Sequence, residues 1–275
     1  MIVWLASYPK SGNTWVRLFL DNLLSPNKDF NINDNIIGQF PIRSHFLDFS
    51  ENINDQSEFA KYCVEAEQKL NMDNKQKILK THNAFWNWGG GKYTFTNEKN
   101  TLGVIYIVRD PRNVITSNNY FHKENYYQAL EFMKENKVLG GNDEETGLPT
   151  IIGSWSNHYN SWKKFKKNFL IIKYENLLKN PFEEFSKITN YLKNISDFKF
   201  ENKNILKAIE HCSFDNMSSQ EDRFGFNDNS KRNKLLNRKF FNLGPNNKWQ
   251  DILDNEIKVK IEKIFNSEMK ELGYL

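Results

Sequence analysis

The apolar run Ile2-Val3-Trp4-Leu5-Ala6 passes almost directly into Tyr8-Pro9-Lys10-Ser11-Gly12-Asn13-Thr14-Trp15, and this junction constrains the chain more than any other segment. Five successive apolar residues predict a strand buried on both faces. The Pro and Gly that follow predict a tight turn, with a helix starting near Asn13. Backbone amides at such a turn and helix start converge on one spot and favour an anion there. Lys10 adds a full positive charge, and Ser11 and Thr14 add hydroxyl donors. Turn chemistry alone has no need of Lys, Ser and Trp together. The junction therefore reads as a phosphate-binding loop. It is not the nucleotide-kinase loop G-x-x-x-x-G-K-[ST], because the lysine comes two residues before the only glycine and an aromatic closes the run.

Further short apolar runs alternate with helical patterns, as βαβ units do. Strands are predicted at Ile2–Ala6, Gln76–Lys80, Leu102–Val108 and Phe169–Lys173. Helices are predicted at Thr14–Leu24, Phe59–Leu70, Arg112–Phe121, Ile152–Phe165 and Pro181–Leu192. Near the C-terminus Ile257, Ile261, Ile264, Phe265 and Met269 recur at helical spacing and predict a core-facing stripe. Trp155 and Trp162 likewise read as helix core. The expectation is an α/β fold, one domain over residues 1–275, with a central, mostly parallel sheet flanked by helices. Its 275 residues and 39% hydrophobic content suffice for one such core. Polar stretches at Ser25–Ser57, Phe85–Asn100, His122–Thr150 and Ser218–Asn242 read as lids or binding loops. Gly89-Gly90-Gly91 reads as a loop tip, since no predicted strand leads into it.

The formal charge of +4 suits a polyanionic nucleotide but falls short of a nucleic-acid signature. Cys63 and Cys212 form no Cys-x-x-Cys pair, and two cysteines make no disulfide framework. That pattern, the lack of an 18-residue apolar run and an opening stretch without a basic leader predict a cytoplasmic protein with no membrane span.

Two other strand ends carry chemistry. Arg109-Asp110-Pro111-Arg112 follows the strand Leu102–Val108, with Ser117 on the first turns of the next helix. A planar guanidinium there suits a terminal phosphate. Leu79-Lys80-Thr81-His82 closes a second strand, and a histidine is suited to act as general base near neutral pH. Open α/β sheets gather ligands beyond the carboxyl ends of their strands, where all three segments fall.

Together these segments resemble the sulfotransferases that use 3′-phosphoadenosine-5′-phosphosulfate (PAPS). That family's 5′-phosphosulfate loop looks like Tyr-Pro-Lys-Ser-Gly-Thr-Thr-Trp, and this chain departs from it only at Asn13. The resemblance implies a P-loop-like fold and transfer of a sulfuryl group from PAPS to a hydroxyl or amine, in line. It also implies release of 3′,5′-ADP and no metal requirement. It implies His82 as base, Lys80 on the sulfuryl group and Lys10 on the leaving-group oxygen. Donor contacts would come from Lys10, Ser11, Gly12, Asn13, Thr14 and Trp15, and from Arg109 and Ser117 at the 3′-phosphate. Tyr174 in Lys173-Tyr174-Glu175 matches a tyrosine on the adenine side. Cys212-Ser213-Phe214-Asp215-Asn216-Met217 resembles a segment near the adenine, implicating Cys212, Phe214 and Met217, with Trp15 and Phe214 sandwiching the base.

The C-terminal loop departs most from the family's Arg-Lys-Gly-x-x-Gly-x-Trp, which grips the 3′-phosphate. Arg238-Lys239 are followed by Phe240 where glycine is expected. Aligning on Gly244 and Trp249 instead puts Asn242 and Leu243 in the Arg-Lys places and Asn247 at the second glycine. The second register keeps Phe240 and Phe241 ahead of the loop and leaves one phosphate-binding arginine missing, with Arg238, Lys239 or Arg232 as compensating cations. Two other functions fit fewer of these residues: a P-loop nucleotide kinase, and a nucleotide-binding protein that has lost catalysis. The acceptor is expected to be a small molecule or glycan. Phe85, Trp86, Trp88, Tyr126 and Tyr127 read as loop anchors ahead of pocket lining, and His45 and His122 lie in candidate acceptor loops. Oligomeric state leaves no pattern.

Overall fold

A computed structural model describes residues 1–122, 125–141, 147–229, 234–235 and 237–275, and at 119–122 the backbone alone. Five strands form the central sheet: β1 (Ile2–Ser7), β2 (Gly38–Gln39), β3 (Lys77–Thr81), β6 (Thr101–Val108) and β9 (Phe169–Lys173). Their order is β2-β3-β1-β6-β9, and every pairing is parallel. All six residues of β1 are buried, because β1 lies mid-sheet with both faces covered.

Strand alternation divides the core. Ile2, Trp4, Ala6, Val104 and Tyr106 face one side, where Phe59 and Cys63 of α2 (Gln56–Asn71) lie with Trp155 and Trp162 of α5 (Trp155–Trp162). Val3, Leu5, Ile105 and Ile107 face the other, against α1 (Asn13–Leu24), α7 (Pro181–Ile195) and α8 (Asn202–His211). Both tryptophans are core, as their spacing predicts.

Register is what aligns the site. Ala6 stands beside both Thr81 and Tyr106, and Val108 beside Lys173. The segments after β1, β3, β6 and β9 therefore all leave the same sheet edge. They carry Lys10, His82, Arg109 and Tyr174 respectively.

Several expectations change in detail. The predicted helix at Ile152–Phe165 begins only at Trp155, because β8 (Thr150–Gly153) pairs antiparallel with β7 (Lys137–Leu139). Gly153 then turns through φ 66°, and the Ser154 side chain caps α5 by accepting from the Asn157 amide. After β6 comes α3 (Pro111–His122), and the 122–150 stretch also holds α4 (Tyr126–Lys134). Gly89-Gly90-Gly91 joins the two-residue strands β4 (Asn87–Trp88) and β5 (Tyr93–Thr94), with all three glycines at positive φ. After β9 come α6 (Tyr174–Lys179) and, beyond α8, α9 (Phe214–Phe224). The C-terminal stripe divides into α10 (Trp249–Ile252), α11 (Asn255–Ile264) and α12 (Asn266–Glu271). Ile257, Ile261, Phe265 and Met269 are buried there, whereas Ile264 turns outward. No described helix is long and apolar enough to cross a membrane.

Candidate active site

The loop after β1 takes its shape from two left-handed residues, Lys10 at φ 67° and Gly12 at φ 101°. A side chain at Gly12 would be strained and would meet the Tyr174 ring at 2.5 Å. Gly12 therefore lets the loop lie flat on that ring. It precedes α1 with no side-chain cap, so the first helical amides are open to an anion. Asn13, the departure from the family pattern, turns inward: its Nδ2 donates to the Leu5 carbonyl at 3.0 Å and to Ser7 Oγ at 3.2 Å. The loop is thereby tied to the end of β1.

His82 follows β3. Its Nδ1 lies 2.8 Å from the Ser7 carbonyl and 3.3 Å from Ser7 Oγ. A carbonyl only accepts, so Nδ1 carries the hydrogen and Nε2 keeps its lone pair. The His82 carbonyl is held in turn by His158, whose Nε2 donates at 3.1 Å while its Nδ1 accepts from the Tyr106 hydroxyl at 2.9 Å. Burial lowers the His82 pKa to about 3, helped by the charges of Lys80 and Lys10. The ring is neutral at physiological pH. Burial also lowers Lys10 well below the ordinary lysine range, with Arg109 and Lys80 adding repulsion.

Arg109 leaves β6 with its guanidinium 4.2 Å from the Tyr174 ring centroid, and donates to the Lys10 carbonyl at 3.0 Å. Its Nε is buried without a partner. The neighbouring Asp110 is engaged elsewhere: it pairs with Arg112 at 2.7 Å, and its amide donates to Glu175. Arg109 is thus not half of a surface Arg-Asp pair.

A cavity of about 570 Å³ opens over this edge. Lys10, Gly12, Asn13, Thr14, Trp15, Lys80, His82, Arg109, Ser117 and Tyr174 all line it. So do Phe214, Met217, Phe240, Asn242 and Gly244. Its volume lies in the range of small-ligand sites. Phe240 stands over Lys10, with Nζ 4.7 Å from the ring centroid. Gly244, at φ 49°, lies against the Phe214 ring, which a side chain would meet at 2.2 Å.

Four predicted donor residues fall elsewhere. Cys212 is fully buried in the core beside α1 and does not line the cavity. Arg238 and Lys239 also lie outside the lining; Lys239 pairs with Asp222 at 2.5 Å. The cavity wall is instead built by Asn242, Leu243, Gly244 and Asn247, the second register of the C-terminal loop. Ser11 is buried behind the loop, its Oγ without a partner and outside the lining. Phe85, Trp86, Trp88, Tyr126 and Tyr127 do not line the cavity, nor does His45, which stacks on Phe40. Arg232 and the His122 side chain lie outside the described residues.

Sequence reasoning missed Asp228, Glu221 and the supporting role of His158. Asp228 accepts from Arg17 at 3.0 Å and stands 3.6 Å from Lys80 Nζ. Glu221, on α9, accepts from the backbone amides of Phe240 at 2.7 Å and Phe241 at 2.8 Å. The two acids sit in the polar Ser218–Asn242 stretch, where no periodicity or motif singles them out. The only signal at His158 was helical spacing with Trp155 and Trp162.

Residues 2–273 match the sulfotransferase domain family. Flavonol 3-sulfotransferase of Flaveria bidentis is 22% identical over 98% of this chain and 82% of its own length. Sulfotransferase 1B1 of Canis lupus familiaris is 26% identical over 78% of this chain, which spans 64% of that protein. Among solved structures, mouse sulfotransferase SULT7A1 complexed with PAP superposes with a TM-score of 0.61 at 22% identity, covering 98% of this chain and 84% of that one. The shared architecture is the P-loop-like α/β fold.

Proposed function

This chain belongs to the sulfotransferase domain family, and on that premise we propose that it moves a sulfuryl group from PAPS to a hydroxyl or amine of a small-molecule acceptor, releasing 3′,5′-ADP. The observation that carries the reading is the convergence of Lys10, Lys80, Arg109 and a neutral His82 on one cavity. Uncapped helix amides beside Arg109 and two lysines fit an anionic nucleotide, whose own charge favours the protonated lysines that burial disfavours, and the unpartnered Arg109 Nε fits a further acceptor group.

The bound donor supplies an activated sulfuryl group on a phosphate leaving group. His82 Nε2 takes the acceptor's proton as the new bond to sulfur forms. Its depressed pKa keeps it unprotonated, and the donor's negative charge offsets the two lysines that help to depress it. Lys80 faces the peripheral sulfuryl oxygens. Lys10 and the loop amides take the charge that develops on the 5′-phosphate as the old sulfur–oxygen bond breaks. Arg109 and Ser117 bind the 3′-phosphate, with Asn242 a neutral neighbour where the family has a cation. Trp15 and Phe214, both on the cavity wall, hold the adenine. The names of the flavonol sulfotransferase relatives support a small hydroxylated acceptor.

An acceptor screen with ³⁵S-labelled PAPS across phenols, alcohols and amines, beside calorimetry with 3′,5′-ADP, tests the reading. Label transfer with 3′,5′-ADP binding supports it. No binding heat and no transfer to any acceptor would remove it.

A further inference from the structure

Asp228 is the one acidic residue among the described residues that line the cavity. It reaches the site from the loop after α9, and that loop is built to hold it. Asn227 N–H donates to Asn33 Oδ1 at 2.8 Å, and Asn229 Nδ2 donates to the Arg238 carbonyl at 2.7 Å. One carboxylate oxygen is shared between Arg17 at 3.0 Å and Lys80 at 3.6 Å.

We propose that Asp228 is a positioning residue for sulfuryl transfer: it keeps the Lys80 ammonium charged and aimed into the cavity until the donor's sulfuryl group arrives. The proposal rests on the sulfuryl-transfer reading above.

A lysine that must stabilise sulfuryl oxygens has to be protonated, and the cavity works against that. The Lys80 side chain is only 12% exposed. Desolvation disfavours its charged form, and Arg17 on α1 repels it. Lys10 and Lys80 repel each other as well, and His82, Arg109 and Tyr174 are the other titratable groups among the described residues that line the cavity. Asp228 is what opposes these effects, both through charge and through contact. Arg17 fixes the carboxylate, since its own guanidinium is anchored by Asp21 at 3.1 Å and Asn35 at 2.5 Å. At 3.6 Å the Lys80 contact is loose beside the Arg17 contact. Lys80 can therefore exchange Asp228 for a sulfuryl oxygen without dismantling the Arg17 pair.

The test compares wild type, Asp228→Asn, Asp228→Glu and Lys80→Met by calorimetry with PAPS and with 3′,5′-ADP from about pH 6.5 to 9.5. The ratio of the two affinities isolates the sulfuryl group, and 3′,5′-ADP binding confirms that each variant is folded. In Asp228→Asn the pH at which the ratio falls should drop by about one unit or more, an approximately tenfold loss above that midpoint. Asp228→Glu should restore it, and Lys80→Met should abolish the titration. An unmoved midpoint in Asp228→Asn, or a titration that survives in Lys80→Met, overturns the assignment while leaving the sulfotransferase reading intact. Wild type that binds neither nucleotide overturns both.

Discussion

His82 Nδ1 donates to the Ser7 carbonyl at 2.8 Å, so the base and the phosphate loop share one anchor. Ser7 ends β1, and its Oγ also accepts from Asn13, the first residue of α1. A displacement of the loop is therefore felt at the imidazole. Replacing His82 by Ala should cut turnover by about 10²- to 10⁴-fold, the usual worth of a positioned general base. Affinity for 3′,5′-ADP should stay within a few-fold, because the cations that bind it are untouched. Steady-state kinetics beside calorimetry separates the two. Turnover close to wild type would remove His82 from the chemistry.

Two neutral buried histidines give the fold a defined response to acid. His82 and His158 are both pushed down to about 3, chiefly by burial, whereas an unfolded histidine titrates near 6.5. Between those values the unfolded chain binds more protons, so stability rises with pH from about 3 to about 6.5 and is lost as pH falls through that window. Each histidine contributes about 1.4 kcal/mol per pH unit there. Asp21, raised to about 6, and Glu67, raised by burial, act in the opposite sense, so the effect is read by difference. Urea unfolding at several pH values should show a slope roughly one proton smaller in His158→Gln than in wild type. Equal slopes would mean that His158 is already charged in the folded protein.

The C-terminal loop bears on donor choice. Asn242 lines the cavity in the place where the resemblance puts a phosphate-binding arginine. An amide offers a weaker hydrogen bond to phosphate than a guanidinium does. Asn242→Arg should therefore raise the preference for 3′,5′-ADP over 5′-AMP by about tenfold, near the lower end of the worth of a charged hydrogen bond. Calorimetry with the two nucleotides measures that ratio. An unchanged ratio would place the 3′-phosphate away from residue 242.

The legible parts of this molecule were those set by local pattern. Phe169–Lys173 is recovered residue for residue, and β1, β3 and β6 to within a residue or so, because β1 and β6 are near-continuous apolar runs and β3 and β9 keep short apolar centres, Ile78-Leu79 and Phe169–Ile172. The loop after β1, His82 and Arg109 were legible because each follows such a run. Cys212 was misplaced because sequence adjacency to Phe214 says nothing about which way a side chain turns at a helix end. Its neighbours Phe214 and Met217 face the cavity, while Cys212 faces the core. Asp228 and Glu221 were illegible for another reason. Their partners lie far away along the chain, at Arg17, Lys80, Phe240 and Phe241, and only the folded loops bring them together.

Glu221 exposes the cost of such a long-range contact. One carboxylate accepts from two successive backbone amides, Phe240 at 2.7 Å and Phe241 at 2.8 Å, and is itself 8% exposed. Those residues begin the cavity wall that continues through Asn242 and Gly244, and Phe240 covers Lys10. A glutamine keeps one oxygen but turns an NH₂ group towards the second amide, leaving buried donors facing each other. That mismatch costs about 1–3 kcal/mol, and the wall can escape it by swinging away. Glu221→Gln should therefore weaken 3′,5′-ADP binding by about tenfold or more, while the thermal midpoint falls by only a few degrees. The sheet edge beneath is untouched, so the residual binding should still depend on Lys10 and Arg109. Calorimetry and thermal melting on the same preparation check this. A variant that binds the nucleotide as tightly as wild type would show that the 240–244 wall holds its place without Glu221.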